Sequence, residues 1–205
     1  LATRTTVTLR RAVYTCTPEE FSSFQAFMQS VSATPNKYRP STNIHRKQCA
    51  FFLPSAPVQT YEFGQKQDSY VIEITDMHPL LARLFSSMPP SYNMVQCNYY
   101  EDASVAITPH QDNESCIDPQ YPIVSVSFYA NVSDTRKFSF YTLTDAKVVD
   151  VVLGHGDVLT MACQDEYKHG IEKERRTNCG PRINFTFRVA MQKQRITFSC
   201  REPLE

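Results

Sequence analysis

The run Arg182-Ile183-Asn184-Phe185-Thr186-Phe187-Arg188 alternates polar and apolar side chains without a break. In a β-strand this alternation places three apolar side chains on one face and four polar side chains on the other. The polar face begins and ends with an arginine, and the two Cα atoms would lie about 20 Å apart. Arginines on an inner face require anions, so the pair could hold a short dicarboxylate between them. The alternative is an edge strand with two solvent-exposed arginines.

Other segments around this run are also rich in residues that favour β-strands, and polar or glycine-containing turns separate them. They are 93–100, 104–110, 122–132, 137–143, 147–153, 157–163 and 195–200. So many short strands at this spacing favour a β-sandwich or barrel. These segments begin only near residue 92, which places the predicted strands in the second half of the chain.

The first half carries two helix signals. Thr17, Pro18 and Glu20 form a capping box with a proline at the first helical position, and apolar residues follow at spacings of three and four. His78-Pro79 starts a second, shorter helix. The proline-punctuated segment 36–59 is expected to loop across the surface.

These signals together predict an α+β fold, with a jelly-roll (double-stranded β-helix) core buttressed by N-terminal helices. We expect a single domain over residues 1–205, in which the helices occupy about 1–90 and the jelly-roll core about 91–200.

The composition excludes several classes of protein. Hydrophobic residues make up 41% of the 205 residues, and no apolar run approaches the length of a membrane span. The 21 basic residues balance 21 acidic ones, which excludes a polybasic coat for nucleic acid. Seven cysteines without a C-x-x-C pair argue for reduced thiols and a cytoplasmic or nuclear location.

His110-Gln111-Asp112 is a candidate metal-binding pair, because residues i and i+2 of a strand point to the same face. One further histidine would complete the 2-His-1-carboxylate set of non-haem Fe(II) oxygenases, which leaves coordination positions open. His169 is preferred, since His155 lies in a tight Gly-His-Gly turn. Unrelated surface histidines are the alternative.

The order of these motifs resembles that of the AlkB-like Fe(II)/2-oxoglutarate dioxygenases. The matching segments, within about residues 46–190, are Asn98-Tyr99-Tyr100, His110 to Glu114, Pro122 to Phe128, His169 and Arg182 to Arg188. The resemblance implies that Fe(II) is held by His110, Asp112 and His169. It also implies O2 as oxidant and 2-oxoglutarate as cosubstrate, bound by Asn98, Tyr100, Arg182, Asn184 and Arg188.

Two upstream segments resemble the family's nucleotide-recognition lid, in which an aromatic side chain stacks on a flipped-out base. In Tyr61-Glu62-Phe63-Gly64, we expect Phe63 to stack with Tyr61 beside it; ordinary core packing is the alternative. Glu114 matches an acidic position that faces the exocyclic edge of the base. Arg46 and Lys47 are expected to contact phosphates.

The resemblance implies oxidative demethylation of bases such as 1-methyladenine or 3-methylcytosine in single-stranded RNA or DNA, with release of formaldehyde, succinate and CO2. The alternatives are a 2-oxoglutarate oxygenase acting on a protein or small molecule, a binding module without catalysis, and a structural jelly roll. We expect a monomer without membrane association. The segments around His169 and Arg182 also resemble the AlkB-like domains of RNA-virus replicases.

Overall fold

The computed structural model describes residues 7–33, 35–36, 39–43, 45–61, 67–162, 164–174 and 179–192. Within these ranges the helices are α1 (Pro18–Ser30), α2 (Pro79–Ser86) and a 3-10 turn at Ile74–Asp76. The strands are β1 (Val7–Arg10), β2 (Pro35–Asn36), β3 (Arg39–Asn43), β4 (Lys47–Phe52), β5 (Asp68–Val71), β6 (Met94–Tyr100), β7 (Ile107–His110), β8 (Ile123–Tyr129), β9 (Arg136–Tyr141), β10 (Lys147–Leu153), β11 (Val158–Met161), β12 (Lys168–Ile171) and β13 (Arg182–Arg188).

Two of the sheets pack against each other. The larger sheet has the strand order β1-β11-β8-β13-β6-β4-β5, and the smaller one has the order β10-β9-β12-β7. Apolar residues of both sheets, such as Leu159 and Met161 of the larger and Phe138 and Phe140 of the smaller, share one buried cluster. The predicted jelly-roll fold is therefore confirmed, and the space between the sheets is where a site can form.

The two helices cover the outer face of the larger sheet. Thr17 and Glu20 form the predicted capping box, with reciprocal hydrogen bonds of 3.2 and 3.0 Å. Phe24 of α1 packs on Phe185 of β13, with ring centroids 5.0 Å apart, and Phe85 of α2 meets Phe187 edge-on at 5.1 Å. The apolar face of β13 thus anchors both helices, which leaves its polar face for the interior between the sheets.

The segment 36–59 does not loop across the surface as predicted. Its residues 47–52 form β4, which is buried between β6 and β5 in the larger sheet. The prolines Pro40, Pro54 and Pro57 lie outside this strand, so they do not interrupt its hydrogen-bond ladder. The strands β1 and β5 also join the larger sheet, so the first 90 residues supply strands as well as helices.

Two further predictions concern the C-terminal run 195–200 and the absence of a membrane span. The run lies outside the described ranges. No helix in the described part of the chain combines the length and the apolar character that a membrane crossing requires.

Candidate metal and cosubstrate site

Two neighbouring strands of the smaller sheet bring the predicted metal ligands together. His110 ends β7, and His169 lies directly opposite it on the antiparallel strand β12. Asp112 follows two residues after His110, and one ligand atom from each of the three side chains lies within 4.8 Å of the others. His155 instead lies in a turn beside the backbone of Tyr129, with Nδ1 3.1 Å from the carbonyl oxygen. The preference for His169 over His155 therefore agrees with the structure.

Each histidine is oriented by a specific neighbour. Nδ1 of His110 lies 2.8 Å from the carbonyl oxygen of Thr108, which directs Nε2 toward Asp112, 3.5 Å away. The ring of His169 stacks on Phe138 at 5.2 Å. Burial, reinforced by nearby His110, lowers the pKa of His169 to about 3. The imidazole is therefore neutral, which is the form that binds a metal ion.

Asp112 is a buried carboxylate that other residues hold ionised. Burial opposes its ionisation, but the charge of Arg188, together with the two histidines, keeps the pKa of Asp112 well below its usual value. Arg188 donates from Nη2 to Oδ2 at 2.5 Å. The backbone N–H of Asp112 donates to Oε1 of Gln164 at 3.3 Å, and the side chain of Gln111 donates to the Gln164 carbonyl at 2.8 Å.

This donor set fits Fe(II). Two imidazoles and one carboxylate on one side of a point form the facial arrangement that non-haem Fe(II) oxygenases use, with the opposite side left for other ligands. His110, Asp112 and His169 could therefore hold the ion.

The close approach of β12 to β7 depends on Gly170. A Cβ at this position would lie 2.8 Å from the backbone carbonyl oxygen of Ile107. Because that oxygen belongs to the backbone of β7, it cannot move aside as a flexible side chain would. Gly170 is therefore required for the spacing that places His169 opposite His110.

We expect Gly170→Ala to weaken Fe(II) binding about tenfold, the low end of the effect of disturbing the support of a metal ligand. The added methyl group would push β12 away from β7 and separate the two histidines. Anaerobic calorimetric titration with Fe(II) measures this. Gly154→Ala is the matched control, because its Cβ would meet no atom closer than 3.6 Å. Unchanged affinity in Gly170→Ala would show that strand spacing does not govern the metal site.

The second part of the site is the polar face of β13, between β6 and β8. Arg182 is aligned with Tyr100 on one side and Tyr129 on the other. Its guanidinium lies 5.0 Å from the centre of the Tyr100 ring and donates from Nη2 to Oγ of Ser127 at 2.9 Å. Nε and Nη1 of Arg182 are buried and have no hydrogen-bond partner within the chain as described. A buried guanidinium with two free donors fits a carboxylate ligand.

The asparagines on the same face have partners already. Nδ2 of Asn184 donates to Oγ of Ser125 at 2.8 Å, and its Oδ1 accepts from Thr186 at 2.9 Å. Oδ1 of Asn98 accepts from Nε of Arg46 at 3.2 Å. A cavity of about 30 Å³ is lined by four of the predicted cosubstrate residues and by all three metal ligands: Asn98, Tyr100, Asn184, Arg188, His110, Asp112 and His169. Arg182 adjoins it through its contact with Tyr100.

Tyr61 does not offer a face for base stacking. Its side chain is fully buried, its hydroxyl donates to Oε1 of Glu114 at 3.0 Å, and the Arg188 guanidinium lies 5.5 Å from its ring centre. The structure thus corrects the role predicted for Tyr61, which positions Glu114 instead. Phe63 lies outside the described residues.

The structure also corrects the phosphate contacts predicted for Arg46 and Lys47. Arg46 is only 7% exposed and points toward Asn98, and burial lowers its pKa. Lys47 donates to the carbonyl oxygen of Val31, just after α1, at 2.7 Å. Both cations therefore have partners within the protein.

Glu114 follows two residues after the metal ligand Asp112, and both side chains line one cavity. Burial and the charge of Asp112 raise the pKa of its carboxyl group. Oε2 of Glu114 is buried and has no hydrogen-bond partner among the described residues. The site thus holds an acceptor that nothing in this part of the protein satisfies.

Three contributors were missed at the level of sequence. Ser125 and Ser127 interrupt an otherwise apolar strand at positions i and i+2, a pattern that could have placed both hydroxyls on the inner face. Gln164, which binds the Asp112 backbone, follows a strand and carries no motif that would have singled it out.

A jelly roll with a His-Asp-His set between its sheets, beside a strand with two buried arginines, defines a non-haem Fe(II) dioxygenase. The sequence profile of the 2OG-Fe(II) oxygenase superfamily matches residues 9–188. The chain belongs to this superfamily, and its cofactors are Fe(II), 2-oxoglutarate and O2.

Two curated relatives and one solved structure give the degree of similarity. Over 123 residues, or 54% of this chain, it is 30% identical to the alpha-ketoglutarate-dependent dioxygenase alkB homolog 3 of Mus musculus and 29% identical to that of Rattus norvegicus. The match spans only 41% and 39% of the length of those relatives. The structure of OsALKBH1 aligns with a TM-score of 0.59 at 19% identity, covering 92% of this chain and all of that one, which shows the same fold.

Proposed function

We propose that this protein removes methyl groups oxidatively from the ring nitrogens of bases in single-stranded RNA or DNA, with 1-methyladenine and 3-methylcytosine as substrates. The observation that carries the proposal is Glu114, a half-buried carboxylate two residues from a metal ligand, with one oxygen bound to Tyr61 and the other unpartnered within the described chain. Methylation at these ring nitrogens gives the base a positive charge. A carboxylate acceptor near the metal suits such a cation.

The contacts of the side chains support the cosubstrate roles that we propose. His110, Asp112 and His169 would hold Fe(II). The free donors of Arg182, with Tyr100 beside them, would bind the distal carboxylate of 2-oxoglutarate, while Asn98, Asn184 and Arg188 line the cavity nearer the metal. When bound, Fe(II), 2-oxoglutarate and O2 supply the oxidation of a C–H bond, with succinate and CO2 as products.

The residues of the chain would then fix where that oxidation falls. Arg188 keeps Asp112 ionised and in place, and Tyr61 fixes Glu114 through its hydroxyl. Glu114 would accept a hydrogen bond from the exocyclic amine of the base, which brings the neighbouring methyl group toward the metal ligands. Hydroxylation of the methyl carbon gives a hydroxymethyl group on the ring nitrogen. This group is unstable and leaves as formaldehyde, which restores the base.

Glu114→Gln tests this role. The substitution keeps an oxygen for the Tyr61 hydroxyl but removes the charge, so we expect kcat/KM for a strand carrying 1-methyladenine to fall about tenfold to hundredfold, the value of a charge-assisted hydrogen bond. Formaldehyde release measures the loss. Glu73→Gln is the control, because Glu73 is exposed and its side chain caps no backbone group.

The same assay separates the proposal from the alternative of a protein or small-molecule oxygenase. We expect methylated single strands, but not unmethylated ones, to stimulate succinate formation. An enzyme that forms succinate at a rate indifferent to every methylated strand would contradict the proposed substrate while leaving the oxygenase assignment intact.

A further inference from the structure

A second, larger cavity opens beside the metal centre. It encloses about 280 Å³ between the loop 112–121 and the turn that follows β11. It shares Asp112 and Met161 with the smaller cosubstrate cavity, so the two spaces meet at a metal ligand. Its walls are largely apolar and include Ile117, Tyr121 and Met191. Apolar walls with a few fixed polar groups are typical of a site for a planar organic ligand.

Two polar atoms on this cavity have no partner. Oε2 of Glu114 and Nε2 of Gln164 are both buried without a hydrogen bond to any described residue, and both side chains line the cavity. Burying such groups unpaired is costly, which points to a ligand that satisfies them.

The orientation of the Gln164 amide is determined by the backbone. Oε1 must face the N–H of Asp112, which can only donate, and this leaves the NH2 group as the free end. Glu114 is held in turn by the Tyr61 hydroxyl. Among the polar groups that line the cavity, the Glu114 carboxylate therefore offers an unpaired acceptor and the Gln164 amide an unpaired donor among the described residues, and each is fixed by its own partner.

Three methylated bases differ in the groups that flank their methylated nitrogen. In 3-methylcytosine that nitrogen lies between an exocyclic amine, which donates, and a carbonyl oxygen, which accepts. In 1-methyladenine it lies between an exocyclic amine and a C–H group. In 3-methyluracil it lies between two carbonyl oxygens. Only 3-methylcytosine presents both a donor for Glu114 and an acceptor for Gln164 on opposite sides of the methyl group.

We infer that Gln164 is a specificity-determining residue and that the site prefers 3-methylcytosine to 1-methyladenine and 3-methyluracil. The inference rests on the proposed demethylase function and deepens it. Gln164 donates to the carbonyl oxygen of the cytosine ring while Glu114 accepts from the amine. 1-Methyladenine leaves the Gln164 donor unpaired, and 3-methyluracil sets a carbonyl oxygen against the Glu114 carboxylate.

The test compares kcat/KM for formaldehyde release on three single strands that differ only in the methylated base. The wild-type protein is expected to rank 3-methylcytosine first, by about tenfold over 1-methyladenine, as one well-placed hydrogen bond allows. Gln164→Glu keeps the oxygen that accepts from Asp112 but replaces the NH2 donor, so the ratio of the two rates should fall about tenfold. Gln164→Met, which has similar size and no donor, should lower the ratio in the same way.

Gln120→Glu is the matched control. Gln120 is an exposed residue of the loop 112–121 that borders the cavity. Its substitution by glutamate introduces the same negative charge as Gln164→Glu without removing a donor from the cavity. This variant is expected to keep the wild-type ratio of the two rates. Anaerobic binding of the strands, measured by fluorescence polarisation, should show the same ranking as the rates.

Three results would overturn the inference. One is a wild-type preference for 1-methyladenine or 3-methyluracil, which is measurable even if the variants do not fold. Another is an equal loss on 3-methylcytosine and 1-methyladenine in Gln164→Glu, which would mean that Gln164 acts only by holding Asp112. Absence of formaldehyde from all three strands, with succinate still formed, would overturn the proposed function together with this inference.

Discussion

His110→Ala is expected to remove Fe(II) binding and succinate formation together while the protein stays folded. The two remaining side chains cannot enclose one face of the ion, because His110 supplies one of the three ligand atoms that lie within 4.8 Å of each other. His110 is partly exposed at the end of β7, with 16% of its side chain accessible, so its loss opens no deep cavity. Anaerobic titration with Fe(II), together with thermal unfolding, measures both effects.

His155→Ala is the control for this experiment. His155 lies in the turn between β10 and β11 and contacts the backbone of Tyr129 and the ring of Phe128, away from the three ligands. Its replacement should leave Fe(II) affinity unchanged. Fe(II)-dependent succinate formation by His110→Ala would show that the metal is held elsewhere.

Asp112→Ala would be harder to interpret. Its removal leaves the buried Arg188 guanidinium without its carboxylate, and breaking a buried pair in this way costs about 3–5 kcal/mol. A loss of activity in that variant could therefore come from unfolding. The partly exposed histidine gives a cleaner test of the metal site.

Arg182→Met is expected to weaken 2-oxoglutarate binding at least about a hundredfold without lowering the stability of the unliganded protein. The affinity falls because two donors, each worth about 1.5–3 kcal/mol when they bind a charged group, are lost. Stability is retained because the lost Nη2 hydrogen bond to Ser127 is offset by the removal of Nε and Nη1, two buried donors that have no partner within the described chain. The shift of the unfolding temperature caused by 2-oxoglutarate and Mn(II) measures the affinity.

A second buried arginine provides the opposite control. Arg136 donates from Nη2 to the carbonyl oxygens of Val105 and Glu172, at 3.2 and 2.8 Å, and from Nη1 to that of Asp102. Arg136→Met should therefore lower the unfolding temperature but keep the shift induced by 2-oxoglutarate. An unchanged 2-oxoglutarate shift in Arg182→Met would contradict the assignment of Arg182 to the cosubstrate.

The parts of the fold that could be predicted are those in which local pattern and tertiary environment agree. The capping box at Thr17 satisfies backbone donors of its own helix, so α1 begins where the sequence indicates. The alternation in β13 follows from a strand with one face under two helices and the other facing the cavity. His110 and Asp112 are recognisable because neighbours in sequence become neighbours at one ion.

The failures come from residues whose environment is set by distant strands. β12 is only four residues long and contains a glycine, and it is a strand because β7 and β9 pair with it on both sides. β4 was not predicted, because the prolines on either side of it favour a loop. The charge of Arg46 suggested an exposed cation, but only the pairing of β4 with β6 shows that its side chain points inward to Asn98.

The central claim is tested most directly by measuring succinate and formaldehyde in the same reaction, with Fe(II), 2-oxoglutarate, O2 and a single strand carrying 3-methylcytosine. The proposed demethylase requires both products to form together in equal amounts, and formaldehyde to disappear when Fe(II), 2-oxoglutarate or the methyl group is omitted. Formation of neither product, with no metal-dependent binding of 2-oxoglutarate, would contradict the account.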